Sequence, residues 1–273
     1  MDLNMKTVGL IGAGRMGLPI IGHLSRAGFR VLVSERNPER VPDIESRGAM
    51  PAELSTLAAE AEAILICVGY DSEVRELICN AGGLLDTVRP GAIIAVLSTI
   101  HPKTMQELAA LADARGIHIV DSTVCRGAWA ADEGTLLSFV GGDAAVVARL
   151  TPVLSAYSSD VVHSGGVGTA QVSKAANNLI LWACLVASHE GLALAQRYGV
   201  NIDALRAALM TSSAANDALD KWGKQSMAWA DDDMAIVADM AAECGLALPQ
   251  SGLVREICRS LKPRRYQLED YGR

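Results

Sequence analysis

Aromatic residues are scarce, only 4% of the 273-residue chain, with two phenylalanines. Alanine, glycine, leucine and valine carry the apolar content instead, a mix that suits an α/β domain with tightly packed helices better than a β-sandwich. No basic run or arginine-rich arm is present and the formal net charge is −7 at pH 7, which argues against nucleic acid as a partner. Lys262, Arg264 and Arg265 form a short basic group broken by Pro263 and read as a solvated tail. The first six residues lack the charged-then-apolar layout of a signal peptide. The apolar run at 8–11 is too short for a signal core, and the one at 179–187 too short to span a bilayer. A cytoplasmic protein with no membrane partner is expected. Cys67, Cys79, Cys125, Cys184, Cys244 and Cys258 form no C-x-x-C pair and no zinc-spaced group with histidine. Free thiols and no metal site are expected. No internal repeat or low-complexity segment is visible.

What is present is enough apolar sequence, half of all residues, to bury a sizeable core. Short apolar runs lie at 8–11, 30–34, 63–68, 92–97, 117–120 and 137–140, with helical patterns such as 16–26, 53–61 and 103–115 between them. Apolar strands separated by helices predict βαβ units around a buried parallel sheet. From 168 onward no strand pattern is found. Residues 169–198 form one long helical pattern, apolar around most of its circumference, as in helices buried between domains or subunits. Shorter helical patterns follow at 202–209, 217–228, 234–244 and 252–260.

The first run leads into Gly12-Ala13-Gly14-Arg15-Met16-Gly17, a G-x-G-x-x-G placed after a strand and before a helix. Gly12 permits the tight turn, Gly14 lets the backbone approach a pyrophosphate, and Gly17 lets the helix pack closely on the strand. The helix N-terminus then offers free N–H groups to the phosphates. That context favours dinucleotide binding over a structural turn. Glu35 ends the second run, where a carboxylate accepts hydrogen bonds from a ribose diol and selects NAD. Arg36 beside it could instead stack on adenine or pair with the 2′-phosphate of NADP. The two signals conflict, and the balance tips slightly to NAD. The expected fold is therefore an α/β, Rossmann-type doubly wound parallel sheet over 1–165, followed by an all-helical domain over 166–273. The boundary is set in the glycine-rich stretch 164–168.

In the long helical pattern Lys174 and Asn178 are one turn apart and share a face. A lysine on an otherwise apolar helix calls for a reason, and burial lowers its pKa toward the range useful for proton transfer. The competing reading is a lysine that snorkels to the surface at the helix start; spacing alone does not decide.

At this point the sequence resembles the β-hydroxyacid dehydrogenases, the family that includes 3-hydroxyisobutyrate dehydrogenase and tartronate semialdehyde reductase. The likeness runs nearly end to end. It rests on G-x-G-x-M-G at 12–17, S-T-x-x-P at 98–102, the D-A-P-V-S-G-G…G-T-L element at 121–127 and 134–136, and the G-x-x-x-K-x-x-N-N type helix holding Lys174, Asn177 and Asn178. The resemblance implies an oxidoreductase that uses NAD or NADP to interconvert a small β-hydroxy acid and its oxo acid or semialdehyde. It implies Lys174 as catalytic acid/base and Asn178, supported by Asn177, as the group orienting the substrate. Val68 and Thr99 would line the nicotinamide-ribose site. Ser122 and the loop Cys125-Arg126-Gly127 would hold the substrate carboxylate. Gly12, Gly14, Arg15, Met16, Gly17, Glu35, Arg36 and Asp233 would serve the cofactor. A homodimer or homotetramer is expected.

The sequence departs from the family in two places. Cys125 stands for its serine and Arg126 for its first glycine. Arg126 either pairs with a second anionic group and narrows the pocket, or points to solvent. Late in the chain Asp232 replaces a lysine that the family places near the cofactor, while the following aspartate is kept as Asp233. The three acids at 231–233 read as a helix N-terminal cap rather than a metal site. His189 and Glu190 read as structural, Trp182 and Trp222 as core or interface, and Trp129 either covers the substrate or packs. Two other functions stay open. One is an imine reductase, against which the retained Lys174 argues. The other is a non-catalytic NAD(P)-binding module, motivated by Asp232 and the altered loop. The shorter C-terminal half, and Asn177 where a histidine would stand, argue against a decarboxylating 6-phosphogluconate dehydrogenase.

Overall fold

The structure, a computed structural model, describes residues 5–263 and 266–272. Residues 1–4 of the N-terminal stretch, and Arg264 and Arg265 of the basic tail, lie outside the described residues, as does Arg273. The chain divides into two compact units, Met1–Lys174 and Ala175–Arg273.

The first unit holds eight strands: β1 (Thr7–Ile11), β2 (Arg30–Ser34), β3 (Met50–Pro51), β4 (Ala63–Ile66), β5 (Ile93–Val96), β6 (His118–Cys125), β7 (Leu136–Gly141) and β8 (Ser158–Gly165). They form one sheet in the order β3-β2-β1-β4-β5-β6-β7-β8. Every pair is parallel except β6 with β7. Helices between them are α1 (Gly17–Arg26), α2 (Val41–Ser46), α3 (Leu54–Glu60), α4 (Asp71–Cys79), α5 (Leu84–Thr87), α6 (Pro102–Asp113), α7 (Gly127–Glu133) and α8 (Ala144–Leu154). The central strands β1, β4 and β5 are apolar on both sides because both are covered. Val8, Leu10, Leu65 and Ala95 share a core with residues of α1, α2, α7 and α8, while Ile11, Ile64, Ile66 and Ile94 share another with residues of α3 to α6. The reversal of winding between β1 and β4 is the point at which doubly wound sheets take ligands, beyond the carboxyl ends of the strands.

The structure extends the six apolar runs to eight strands. β3 is only two residues long, and β8 is largely exposed and polar, so neither carries an apolar run. β6 continues past 120 through Asp121, Ser122 and Thr123, all fully buried.

Helix α9 (Thr169–Arg197) begins in the first unit and continues in the second, which also contains α10 (Ile202–Leu209), α11 (Asp217–Asp220), α12 (Ala230–Glu243) and α13 (Pro249–Leu261). The expected helix at 217–228 stops at Asp220. Gly223 (φ +89°) and Met227 (φ +47°) take left-handed conformations that a helix does not accommodate. Trp182, Leu185 and Val186 of α9 pack with Met234, Val237, Val254 and Cys258 of α12 and α13. Asp231 ties these last two helices together through Arg255 (2.6 Å) and Arg259 (3.0 Å). At 29 residues α9 exceeds the apolar stretch seen at 179–187 and is long and apolar enough to cross a bilayer. A core helix meets the same criterion, and 44% of its most apolar window is buried.

Candidate active site

β1 ends and the chain turns at Gly12, whose φ of +96° is a left-handed value that suits glycine. A Cβ there would lie 2.4 Å from the carbonyl oxygen of Cys67, so the loops after β1 and β4 are packed backbone to backbone. A Cβ on Gly17 would sit 2.1 Å from the Gly12 oxygen, which is how α1 closes onto the turn. At Gly14 a Cβ would meet nothing within 4 Å. The N-terminus of α1 carries no side-chain cap, leaving it suited to an anion. Glu35 reaches back from the end of β2, and its carboxylate accepts from the backbone N–H of Ala13 (2.6 Å) and of Asn37 (2.9 Å). These features fit a dinucleotide: an open cradle at Gly14, N–H groups for the pyrophosphate and a carboxylate beside them.

The neighbouring cationic side chains are already engaged. Arg15 makes a two-pronged pair with Asp132 of α7 (2.8 and 2.5 Å), which raises the guanidinium pKa and lowers that of the carboxyl. Arg36 is exposed and lies 3.5 Å from Glu73. Met16 is half-buried against the first core.

β4 and β5 deliver Val68 and Thr99 just past their carboxyl ends, and both are half-buried. Between them stands Ser98, a buried hydroxyl that accepts from the Val68 N–H (3.0 Å) and donates to the Val68 carbonyl (2.9 Å). The loop after β4 is thereby fixed to the loop after β5.

Lys174, half-buried, donates from Nζ to the carbonyl oxygen of Val124 at 2.8 Å, near the end of β6. The first turn of α9 is docked on that strand by two further groups. Asp121 accepts from Gly168 N–H (2.7 Å) and Gln171 N–H (2.9 Å), and the Thr123 hydroxyl donates to the Ala170 carbonyl (3.0 Å). Burial pushes the Asp121 carboxyl pKa up, and these backbone donors act against it. The Gln171 side chain donates to the Ser98 carbonyl (2.9 Å) and accepts from Ile100 N–H (3.0 Å). The sequence motifs give Ser98, Asp121 and Gln171 no role. No local signal marks them, since the partners of Asp121 and Gln171 lie 47 to 73 residues away.

The loop after β6 shows where the Arg126 side chain lies. Arg126 takes a left-handed conformation (φ +81°), the kind of position glycine fills readily. Its side chain donates to the Thr135 carbonyl (3.0 Å) and the Ser159 hydroxyl (2.8 Å), and pairs with Asp160 at 2.8 Å. The anion that Arg126 meets in this structure is supplied by β8, and the pair is solvent-accessible. Gly127 (φ +77°) opens α7 with free space where a Cβ would be. Cys125 and Ser122 are buried in β6, with Ser122 alternating with Val120 and Val124 on the face of the first core.

Within the second unit, Asn177 donates to the side-chain oxygen of Asn178 (3.1 Å), and Asn178 is 2% exposed. Asp231, Asp232 and Asp233 stand in the first turn of α12, and Asp233 accepts from the Trp182 indole N–H (3.1 Å). Among the described residues no group of three or more His, Cys, Asp or Glu is placed to hold a metal ion.

Comparison with known proteins identifies the family. The family profile of the NAD binding domain of 6-phosphogluconate dehydrogenase matches residues 7–166, and that of the NAD-binding domain of NADP-dependent 3-hydroxyisobutyrate dehydrogenase matches 168–271. The chain is 33% identical over 217 residues to the 3-hydroxyisobutyrate dehydrogenase of Pseudomonas aeruginosa, covering 79% of this chain and 73% of that one. It is 33% identical to a probable mitochondrial 3-hydroxyisobutyrate dehydrogenase of Dictyostelium discoideum, over 77% of this chain and 65% of the relative's length. Among solved structures, the 3-hydroxyisobutyrate dehydrogenase of Mycobacterium tuberculosis with L-serine shares the fold, with a TM-score of 0.86 at 24% identity over 96% of this chain and 95% of that one. The chain belongs to the β-hydroxyacid dehydrogenase family and, with it, to the NAD(P)-dependent oxidoreductases that act on CH–OH groups.

Proposed function

We propose that this protein interconverts a small β-hydroxy acid and its oxo acid or semialdehyde, with Lys174 moving the proton. The observation that carries the reading is the Lys174 ammonium anchored on the Val124 carbonyl. That carbonyl lies toward the carboxyl end of β6, on the sheet edge where β1, β4 and β5 also end.

The bound nicotinamide supplies the hydride acceptor for oxidation and, reduced, the hydride donor. An ammonium has three N–H donors; one is spent on Val124, and two remain for a substrate oxygen. In reduction Lys174 Nζ gives its proton to the carbonyl oxygen as that oxygen gains charge; in oxidation the neutral amine takes the hydroxyl proton. Asn178, braced by Asn177, orients the substrate, and the loop at Cys125 and Gly127, with Ser122 behind it, receives the carboxylate. Gly12, Gly14, Arg15, Met16 and Gly17 cradle the pyrophosphate, Val68 and Thr99 line the nicotinamide ribose, and Asp233 serves the cofactor from α12. Glu35 inclines the site to NAD over NADP. In this reading 1–165 is the dinucleotide domain and 166–273 the substrate and oligomerisation domain. The protein works in the cytoplasm as a homodimer or homotetramer on a small carboxylate, with neither membrane nor nucleic acid as partner.

The test is NAD(P)H oxidation across short semialdehydes, 2- and 3-oxo acids and cyclic imines, with Lys174→Ala in parallel. Turnover on the carbonyl acids, lost in the variant while NAD(P)H still binds, is the expected result. Turnover confined to imines makes the protein an imine reductase, and no turnover on any compound favours a binding module.

A further inference from the structure

We propose that Gln171 is a positioning residue that holds the Lys174 ammonium in register with the nicotinamide-side loops. The proposal rests on the acid/base reading of Lys174 given above. Gln171 lies three positions before Lys174, so the two side chains leave α9 on the same face. The Gln171 side chain is 1% exposed and reaches outside its own helix: it donates to Ser98 O and accepts from Ile100 N–H, so it grips both sides of Thr99. Ser98 in turn brackets both polar backbone groups of Val68. A continuous chain of hydrogen bonds thus joins Val68, Ser98 and Gln171, and the helix carries it one turn on to Lys174. On the other side Asp121 and Thr123 pin the same turn to β6, the strand whose Val124 carbonyl receives the ammonium.

The residue type matters chemically. The site is buried and needs one donor and one acceptor a short distance apart at the end of a three-carbon reach. A glutamine supplies both. An ionised glutamate keeps the acceptor but turns a lone pair toward the Ser98 carbonyl. A methionine of similar length supplies neither, leaving two buried backbone groups unpaired. Hydride and proton transfer need reacting atoms held within a few tenths of an ångström, and a displacement of about 1 Å costs on the order of 10²-fold in rate. A brace that loosens between the loop at Thr99 and Lys174 should show in the chemical step before it shows in binding.

The experiment uses the full chain and Gln171→Met, Gln171→Glu and Lys174→Ala. The first readout needs no cofactor: the pH dependence of acetic anhydride labelling at Lys174, followed by peptide mass spectrometry, with Lys103 and Lys221 as internal references. The second is steady-state oxidation of 3-hydroxyisobutyrate with NAD, with NADH binding measured by fluorescence. Positioning predicts an altered labelling profile at Lys174 alone in Gln171→Met. It also predicts kcat lower by about 10²-fold with KM and NADH binding little changed. In Gln171→Glu the loss should shrink as the pH falls, because a protonated carboxyl regains the donor. Unchanged Lys174 labelling and kcat in both Gln171 variants, with Lys174→Ala inactive, overturns the positioning role and leaves the acid/base reading standing. Turnover retained in Lys174→Ala removes both.

Discussion

Arg126 and Asp160 pair at 2.8 Å, joining the loop after β6 to the edge strand β8. Among the described residues the ionic partner of Arg126 is Asp160, and we expect its charge to be spent there rather than on a dicarboxylate.

Replacing it tests that directly. Arg126→Gly removes a half-exposed ion pair worth about 0–1 kcal/mol and relieves a left-handed backbone that costs a side-chain-bearing residue about 1–2 kcal/mol. The two effects nearly offset. Stability from urea unfolding should stay within about 1 kcal/mol of the parent, and the ratio of kcat/KM for mono- and dicarboxylate substrates should not move. A shift of that ratio toward monocarboxylates would show that Arg126 leaves Asp160 for the substrate.

At Lys174 a positive charge alone is insufficient if the side chain moves a proton. Lys174→Arg keeps the charge but holds its proton too tightly for transfer near neutral pH. We expect kcat to fall by about 10²–10⁴-fold, with NADH binding retained. Added methylamine should restore part of the activity of Lys174→Ala and none of that of Lys174→Arg.

The Glu35 carboxylate already accepts from Ala13 and Asn37 N–H groups, yet a carboxylate has about four lone-pair sites and can also accept from a ribose diol. Glu35→Gln removes the charge that repels a 2′-phosphate. The ratio of kcat/KM for NADP over NAD should rise by about tenfold, the effect of one charge-assisted hydrogen bond. A ratio that stays put would place the discrimination elsewhere.

In the second unit His189 is fully buried on α9, and its Nε2 accepts from the Tyr266 N–H (3.0 Å). A backbone N–H can only donate, so the imidazole is neutral, with its proton on Nδ1 facing the Leu185 carbonyl (2.8 Å). Burial depresses its pKa. The folded state then binds fewer protons than the unfolded chain just below the usual histidine value near 6.5, and stability rises with pH there. The contribution should be complete above about pH 6.5 and decline as acid protonates the unfolded histidine, by up to about 1.4 kcal/mol for each pH unit inside the window. Thermal unfolding from pH 5 to 8 should show that slope in the parent and a flatter one in His189→Gln.

Much of this was legible in the sequence, for identifiable reasons. The apolar runs are strands, and in the central ones, β1, β4 and β5, burial on both sides makes the pattern plain. The glycine loop was legible because Gly12 and Gly17 answer to a local steric demand, a contact under 2.5 Å at each. β8 was not, because as a polar edge strand it needs only β7 beside it. α11 was overestimated because the amphipathic pattern continues past Asp220 while the backbone turns at Gly223. Arg126 was open to two readings because its partner lies 34 positions away, on the strand that the sequence hid. Gln171 and Asp121 share that difficulty: their roles depend on which backbone groups the fold brings opposite them.

The sheet has two rims, and neither offers a good template to a passing strand. One rim is the two-residue β3, too brief to seed a ladder; the other, β8, breaks register twice against β7 and carries Asp160, paired with Arg126, along its length. Short, irregular, charged borders are how open sheets resist edge-to-edge stacking. Both borders therefore end the sheet without presenting a long, regular ladder to another chain.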